Sequence, residues 1–341
     1  MLWLLFGYLQ GLNTNLPSTY GSISLVNTII SSITFAIMLL IVVVLFVYLF
    51  GWAERKLIAR IQSRHGPTYV GKFGILQNFA DVTKLLSKEN IIPYLADRKI
   101  FLIMLPLMYA LMLLILFFLP ISSSFVGVNS TISLLVVFAL LSFSPILLFL
   151  NAWSSGNKFA SISAQRSVIM MVSYEIPMLL VVGSIAMLSN SFSLYNIVEV
   201  QNNMWFIALM PIGFIIFFIV MLAEIERPPF DVREADNELI AGWLTDVSAP
   251  YYALALFLDY TRVLVGSLLI TLLFLGGWLG PTILPAFFWI AIKVIIVSIF
   301  FIILRATNLR IKINQILRNG WIYLTPLAAM NILITFLIFV K

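Results

Sequence analysis

The chain contains no cysteine, so it holds no disulfide, no thiolate-ligated zinc, no haem thioether link and no iron–sulfur cluster of its own. It has one histidine, His65, too few for a histidine-rich metal site. Charged residues make up only 10% of it, against about 25% in an ordinary soluble domain. It has no Gly-x-Gly-x-x-Gly turn opening a βαβ unit and no phosphate-cradling loop. Any nucleotide or metal cluster in its chemistry is therefore bound by another chain. An internal repeat, which many secondary carriers show, is also missing.

Apolar sequence dominates what is there. Hydrophobic residues reach 62% of 341, and the mean hydropathy is +1.08. Such surface is stable in lipid and not in water. The expected fold class is an all-α integral membrane protein, a single membrane domain over 1–341. Eight apolar runs are long enough to cross a hydrocarbon core of about 30 Å, near 27–50, 100–120, 131–150, 167–189, 203–223, 250–276, 284–304 and 321–340. They must be helical, because lipid offers no partner to a free backbone amide or carbonyl. Residues 1–20 are apolar and uncharged, without the positive start of a secretory signal, and read as a short interfacial helix or an extension.

The net charge of +6 invites a nucleic-acid reading, but the placement of the charges argues for topology. Segments 51–99, 151–166, 224–249 and 305–320 hold 17 of the 20 Lys and Arg residues, and the alternating segments hold none. The positive-inside rule puts the first set in the cytoplasm or matrix and both termini outside. No nucleic-acid partner is expected.

Three constellations carry candidate chemistry. The first inside segment starts with Glu54-Arg55-Lys56 and turns at Gly66-Pro67. From Ile75 to Leu86, apolar residues at helical spacing (Ile75, Leu76, Phe79, Val82, Leu85, Leu86) oppose Asp81, Lys84 and Lys88. This is an amphipathic helix on the membrane surface, serving either as a lipid anchor or as the wall of a site entered from the bilayer.

The second is an acidic segment among basic ones, with seven carboxylates (Glu224, Glu226, Asp231, Glu234, Asp236, Glu238 and Asp246) against Arg227 and Arg233. Pro228 and Pro229 stiffen it, and Phe230, Leu239, Ile240 and Trp243 give it apolar surface to bury. Close carboxylates raise one another's pKa, so the group can hold and pass protons.

The third is the set of ionisable groups within apolar runs: Glu175, Asp259, Arg262 and Lys293. A charge there costs at least ~2.5–3.5 kcal/mol and marks an ion or proton path. Glu175 lies nine residues beyond Arg166, taken as the inside end of its helix, or ~13 Å deep. Pro177 should kink that helix and make room for water. Asp259 lies at a similar depth past Pro250, and Lys293 is placed nearer the midplane. Asp259 and Arg262, three apart, share a helix face and can pair. Carboxylates thus run from the inside surface into the bilayer, while the outer half of every helix is uncharged. His65 reads as a surface loop residue.

Several motifs resemble those of the complex I membrane subunit family, known as NADH dehydrogenase subunit 1 or as the H subunit of NADH-quinone oxidoreductase. They are Glu54-Arg55-Lys56 through Arg64-His65-Gly66-Pro67; Asn151 through Ala160 with Arg166 and Ser173-Tyr174-Glu175; Glu224 through Gly242; Leu275-Gly276-Gly277-Trp278; and Leu304-Arg305-Ala306. The resemblance runs from about residue 40 to the end. It implies the membrane side of a quinone-reducing chamber, facing a peripheral arm with iron–sulfur subunits, and a proton path toward antiporter-like subunits. Quinone is then the one cofactor, bound at that interface, with no flavin, iron–sulfur cluster or metal in this chain. The resemblance places Glu54, Arg55, Arg64, Asp81, Arg227 and Phe230 by the quinone. It places Glu175, Glu224, Asp231, Glu234, Asp236, Glu238, Asp246 and Asp259 on the proton path, to which the residues themselves add Glu226 and Lys293. Asp246 and Asp259 stand where the family usually has Glu. Glu226 is an additional acid, and Arg233 puts a cation inside the acidic run. The implied setting is a prokaryotic plasma membrane, with the mitochondrial inner membrane as the alternative. Two other readings stay open: a membrane subunit of a proton-pumping hydrogenase or an F420H2- or ferredoxin-dependent complex, and a stand-alone proton-coupled transporter.

Overall fold

The computed structural model describes residues 21–123, 125–234, 236–281 and 283–339. The expectation for residues 1–20 lies outside them. The described residues are helical throughout, with a single isolated β-bridge between Ser122 and Phe125. In chain order the helices are α1 (Gly21–Ile61), α2 (Gln77–Leu86), α3 (Arg98–Phe118), α4 (Ser133–Ser154), α5 (Lys158–Ser189), α6 (Leu194–Val200), α7 (Phe206–Leu209), α8 (Pro211–Glu224), α9 (Asp236–Leu239), α10 (Ala249–Phe274), α11 (Ala286–Thr307), α12 (Ile313–Arg318) and α13 (Thr325–Phe339). A π-helical stretch, Asn319–Leu324, joins α12 to α13 into one crossing.

Among the described residues, seven helices are long and apolar enough to cross a membrane. The eighth run, expected over 203–223, is instead broken into α7 and α8. Pro211 has no amide proton to donate, and Met210 before it leaves helical geometry at φ −137° and ψ 70°. Two more expected ends move. Helix α1 runs past residue 50 to Ile61, so Glu54 and Arg55 are helical residues on a rigid rod. Helix α5 starts at Lys158, so Arg166 lies inside it and does not mark its end.

Pro177 does not interrupt α5. It frees the carbonyl of Ser173 four residues back, and Gly320 of the π stretch packs there, where an added Cβ would stand 3.1 Å from that oxygen. Helix backbone therefore takes the space that the sequence reading assigned to water.

Helix α10 is the axis of the bundle. Every residue from Thr261 to Phe274 is buried, and α1, α2, α3, α6, α8 and α11 all pack on it. The apolar outer faces of the other long helices stay exposed, as a lipid-facing surface requires. Helix α2 buries none of its residues. Phe79 and Leu86 are each 62% exposed, so its apolar face is available to lipid. Its polar face is tied to α1 through Tyr48 Oη to the Ile75 carbonyl (2.6 Å), Asn78 Nδ2 to the Tyr48 carbonyl (2.9 Å) and Arg55 to Asp81 (2.5 Å). The turn before α2 needs glycine at 74, where φ is +71° and a Cβ would lie 2.1 Å from the Pro67 carbonyl oxygen.

Candidate functional site

The end of the bundle that carries the basic segments holds two adjoining cavities. The apolar one, about 240 Å³, lies between α1, α2 and α10, with walls that include Val47, Phe79, Val82, Leu85 and Phe257. Arg55, Asp81 and Tyr260 are its polar groups besides Tyr48 and Asn78. The second, about 330 Å³, is lined by Glu54, Arg55, Ile58, Tyr260, Arg305 and the segment Arg64 to Pro67. Arg55 and Tyr260 border both cavities. These two side chains therefore stand between an apolar cavity beside α2 and a charged chamber.

Glu54 anchors the charged chamber. Its Oε1 accepts hydrogen bonds from Arg227 (2.9 Å) and Arg305 (2.5 Å), residues 173 and 251 positions away in the chain. The Arg227 guanidinium lies 5.3 Å from the centre of the Tyr260 ring. Burial works against the charge on Arg227, but Glu54, Tyr260 and Asp259 more than offset it and hold its proton more firmly than usual.

The acidic segment does not float in solvent. It folds back against α5 and α10 and forms a buried ion network. Glu226 accepts from Arg233, Arg262 and Ser167, and is 2% exposed. Arg233 also bonds Asp259 on α10 (2.6 Å) and approaches Glu234 (3.4 Å). Arg262 reaches Ser144 on α4 as well (2.9 Å). The pair expected within α10 is therefore not the one formed. Asp259 takes Arg233 and Arg262 takes Glu226, because the inward-folded segment brings full charges closer than the next helical turn does.

Next to this network, Asp231 meets Arg310 at 3.2 Å and has one buried oxygen without a hydrogen bond. Burial pushes its carboxyl above the ordinary range, although Arg233 and Arg310 pull it back. Burial likewise pushes Glu234 up to about 7, with Asp259 and Asp231 repelling its charge and Arg233 favouring it. A carboxyl in that position binds and releases protons near neutrality.

The other expected residues are placed as follows. Glu224 is buried at the end of α8 and makes no ion pair among the described residues. Glu175, half-buried, accepts from Ser142 on α4. Glu238 is exposed and pairs with Arg166 at 2.5 Å. Asp246 borders a separate surface cavity with Lys88 and Glu89. Asp236 starts α9, and its side chain lies outside the described ones. Phe230 packs on Tyr174 with ring centres 5.2 Å apart and lines neither cavity.

Lys293 departs most from its expected place. Its ammonium donates to the carbonyls of Leu275 (2.6 Å), Gly277 (2.9 Å) and Leu279 (2.7 Å), and lies 4.4 Å from the Trp205 ring centre. These carbonyls follow the end of α10, 16 residues or ~24 Å along the chain axis from Asp259. The Lys293 ammonium is therefore fixed beside the C-terminal end of α10, away from the acidic segment that packs around Asp259. Sequence reasoning gave no site role to Tyr260, Arg305, Ser142 and Ser167. Tyr260 sits beside Asp259 in an apolar helix, a signal that was readable, whereas Arg305 looked like one more topology charge.

The model of the NADH dehydrogenase family matches residues 34–336. This chain belongs to that family. Among its curated relatives, the H subunit of NADH-quinone oxidoreductase from Dehalococcoides mccartyi strain CBDB1 is 40% identical over 293 residues, covering 86% of this chain and 82% of the relative. The same subunit from Carboxydothermus hydrogenoformans is 37% identical over 341 residues, covering 97% and 95%. One of the H subunits of Geobacter sulfurreducens is 39% identical over 310 residues, covering 88% and 93%. The hydrogenase-type and stand-alone transporter readings are not favoured by these relatives.

Proposed function

We propose that this chain is the membrane subunit of a proton-translocating NADH-quinone oxidoreductase, and that its two adjoining cavities form the membrane side of the quinone chamber and the start of the coupled proton path. The observation that carries this reading is the adjacency of the apolar cavity beside α2 to the chamber of Glu54 and Arg305, with Arg55 and Tyr260 bordering both and Arg227 bonded to Glu54. A quinone has an apolar tail and two carbonyl oxygens that accept hydrogen bonds. The walls fit the tail, and Arg55, Arg64, His65 and Tyr260 supply donors for the head.

Reduction of a quinone leaves oxygens that take up protons. The groups here respond to such a change. Glu54 is held by two arginines, and Arg227 lies against Tyr260, which borders the chamber. Negative charge in the chamber competes with Glu54 for Arg227 and Arg305. Asp231, Glu234 and Asp259 lie next in line, and Glu224 and Glu175 deeper. Electrons reach the chamber from partner subunits with iron–sulfur clusters, because this chain has no cysteine to hold one. Protons leave sideways toward antiporter-like partners. The setting is a prokaryotic plasma membrane with the basic segments inside and both termini outside.

A photoreactive short-chain quinone, applied to the assembled complex in membranes, is expected to label α1, α2 or α10 and to be displaced by unlabelled quinone. Arg55→Ala is expected to raise the KM for that quinone about tenfold, a loss of ~1.4 kcal/mol of binding. Competed labelling confined to other helices, with the KM of the Arg55 variant unchanged, would overturn the reading.

A further inference from the structure

The buried network contains an arrangement beyond a row of carboxylates. Arg233 sits on irregular backbone between Asp231 and α9, and is 3% exposed. One guanidinium faces three carboxylates from three directions: Glu226 at the start of the segment, Asp259 on α10, and Glu234 next to it in sequence. The Trp243 ring closes a fourth side, with its centre 5.3 Å away. The backbone is pinned while the side chain reaches inward. Ser163 of α5 donates to the Arg233 carbonyl (2.6 Å), and Gly242, at φ +58°, packs so close that a Cβ would stand 1.9 Å from that same oxygen.

Beyond Arg233 the second cation, Arg262, faces Glu226 and Ser144. With Glu226, Asp259 and Glu234 ionised, three negative charges meet two positive ones, and one bound proton makes the group neutral. The bonding is also incomplete. Nε of Arg233 and Oε1 of Glu234 face each other at 3.4 Å without a hydrogen bond, and Nε of Arg262 is buried without one. The guanidinium of Arg233 thus meets Glu226 and Asp259 closely and Glu234 more loosely, so its pairings are unequal.

We propose that Arg233 is a positioning residue for proton transfer, standing between Glu234 on one side and Glu226 and Asp259 on the other and setting how many protons these carboxylates hold. The inference rests on the proton-path reading above. In the resting arrangement the guanidinium bonds Glu226 and Asp259, and the proton that balances the charge stays on Glu234, which the guanidinium approaches only to 3.4 Å. When the chamber turns negative, the guanidinium shifts toward Glu234. The O–H bond at Glu234 breaks and an O–H bond forms at Asp259. Arg233 keeps all its own protons throughout. Without the cation Glu234 and Asp259 lose the group that holds them in register, so quinone reduction continues while proton transfer fails.

The test uses the assembled complex in inverted vesicles, with NADH and a short-chain quinone, and records quinone reduction together with proton movement. Arg233→Gln is expected to keep quinone reduction within about twofold and to lower protons moved per electron about twofold or more. Arg233→Lys is expected to restore most of the ratio. Because Arg233→Gln alone can fail to assemble, the double variant Arg233→Gln with Glu226→Gln removes one charge of each sign. It should assemble as judged on a native gel and recover part of the ratio. An unchanged ratio in Arg233→Gln overturns the proposal, as does an assembled double variant with no better ratio than the single one. Absence of quinone-dependent proton movement in the unsubstituted complex would instead defeat the functional reading on which it rests.

Discussion

The two ends of this bundle solve the problem of buried charge in opposite ways. At the basic end, charges meet charges: Glu54 with Arg227 and Arg305, and Glu226 with Arg233 and Arg262. At the other end one cation, Lys293, meets three backbone carbonyls and the face of Trp205, with no acid paired to it among the described residues. These carbonyls belong to Leu275, which caps α10, and to the turn after it, so a single ammonium completes them without any acid. A network of ion pairs has alternative pairings and can rearrange when a proton or electron arrives. A cation whose three hydrogens are all taken by fixed carbonyls has none. Lys293 thus ties α11 to the loop after α10, whereas Glu54 and Glu226 at the basic end each stand against two arginines.

Breaking the network should give the largest effect. Arg262→Met removes one of the two guanidiniums on Glu226 and leaves a buried carboxylate underpaired, at about 3–5 kcal/mol of stability. Loss of the assembled complex on a native gel and a lowered thermal midpoint check it. A variant as stable as the unsubstituted protein would mean that Arg233 and Ser167 satisfy Glu226 unaided.

The Lys293 tie comes next. Lys293→Met leaves three carbonyls without their donor and should destabilise the protein by about 2–3 kcal/mol, part of the loss being relieved by loop relaxation. Protons moved per electron in whatever complex assembles should stay unchanged. A changed ratio in a stably assembled variant would return Lys293 to the proton path.

The smallest effect sharpens the comparison through pH. Glu234 binds its proton more tightly in the folded protein, at about 7, than in an unfolded chain at ~4.3. Between those values the folded state holds more protons, so its contribution to stability is full below the lower value and is lost as pH rises through 7. The side chain is 33% exposed, so the effect is ~1 kcal/mol or less. The thermal midpoint should fall as pH rises through this window, and Glu234→Gln should flatten that fall. An equal slope in both proteins would assign it to Asp231, which burial also pushes up.

Much of the fold was legible because lipid enforces a simple rule, helices wherever apolar runs are long enough. The surface helix was legible from spacing, and α2 occupies Gln77–Leu86 within the expected Ile75 to Leu86. Helix ends were less so. Run length marks where the hydrocarbon ends, whereas α1 and α5 continue into the polar zone. The broken crossing at Pro211 was visible as a proline, yet nothing local said whether the helix would restart at once. The inward fold of the acidic segment was foreshadowed by its prolines and apolar residues. Its pairings were not, since a three-residue spacing favoured Asp259 with Arg262 while the pairs formed span 26 and 36 residues.

By itself, then, the sequence determined the solvent, the number and order of apolar runs, the side that bears the basic residues, and the inventory of carboxylates with no thiol among them. Each is set by composition or by neighbours along the chain. Only the tertiary structure decided that Tyr260 and Arg55 stand between two cavities, that Arg233 faces three acids, and that Lys293 is fixed beside the C-terminal end of α10, away from them. Those outcomes depend on helix packing around α10, where distances between residues hundreds of positions apart are settled by side-chain volume and charge.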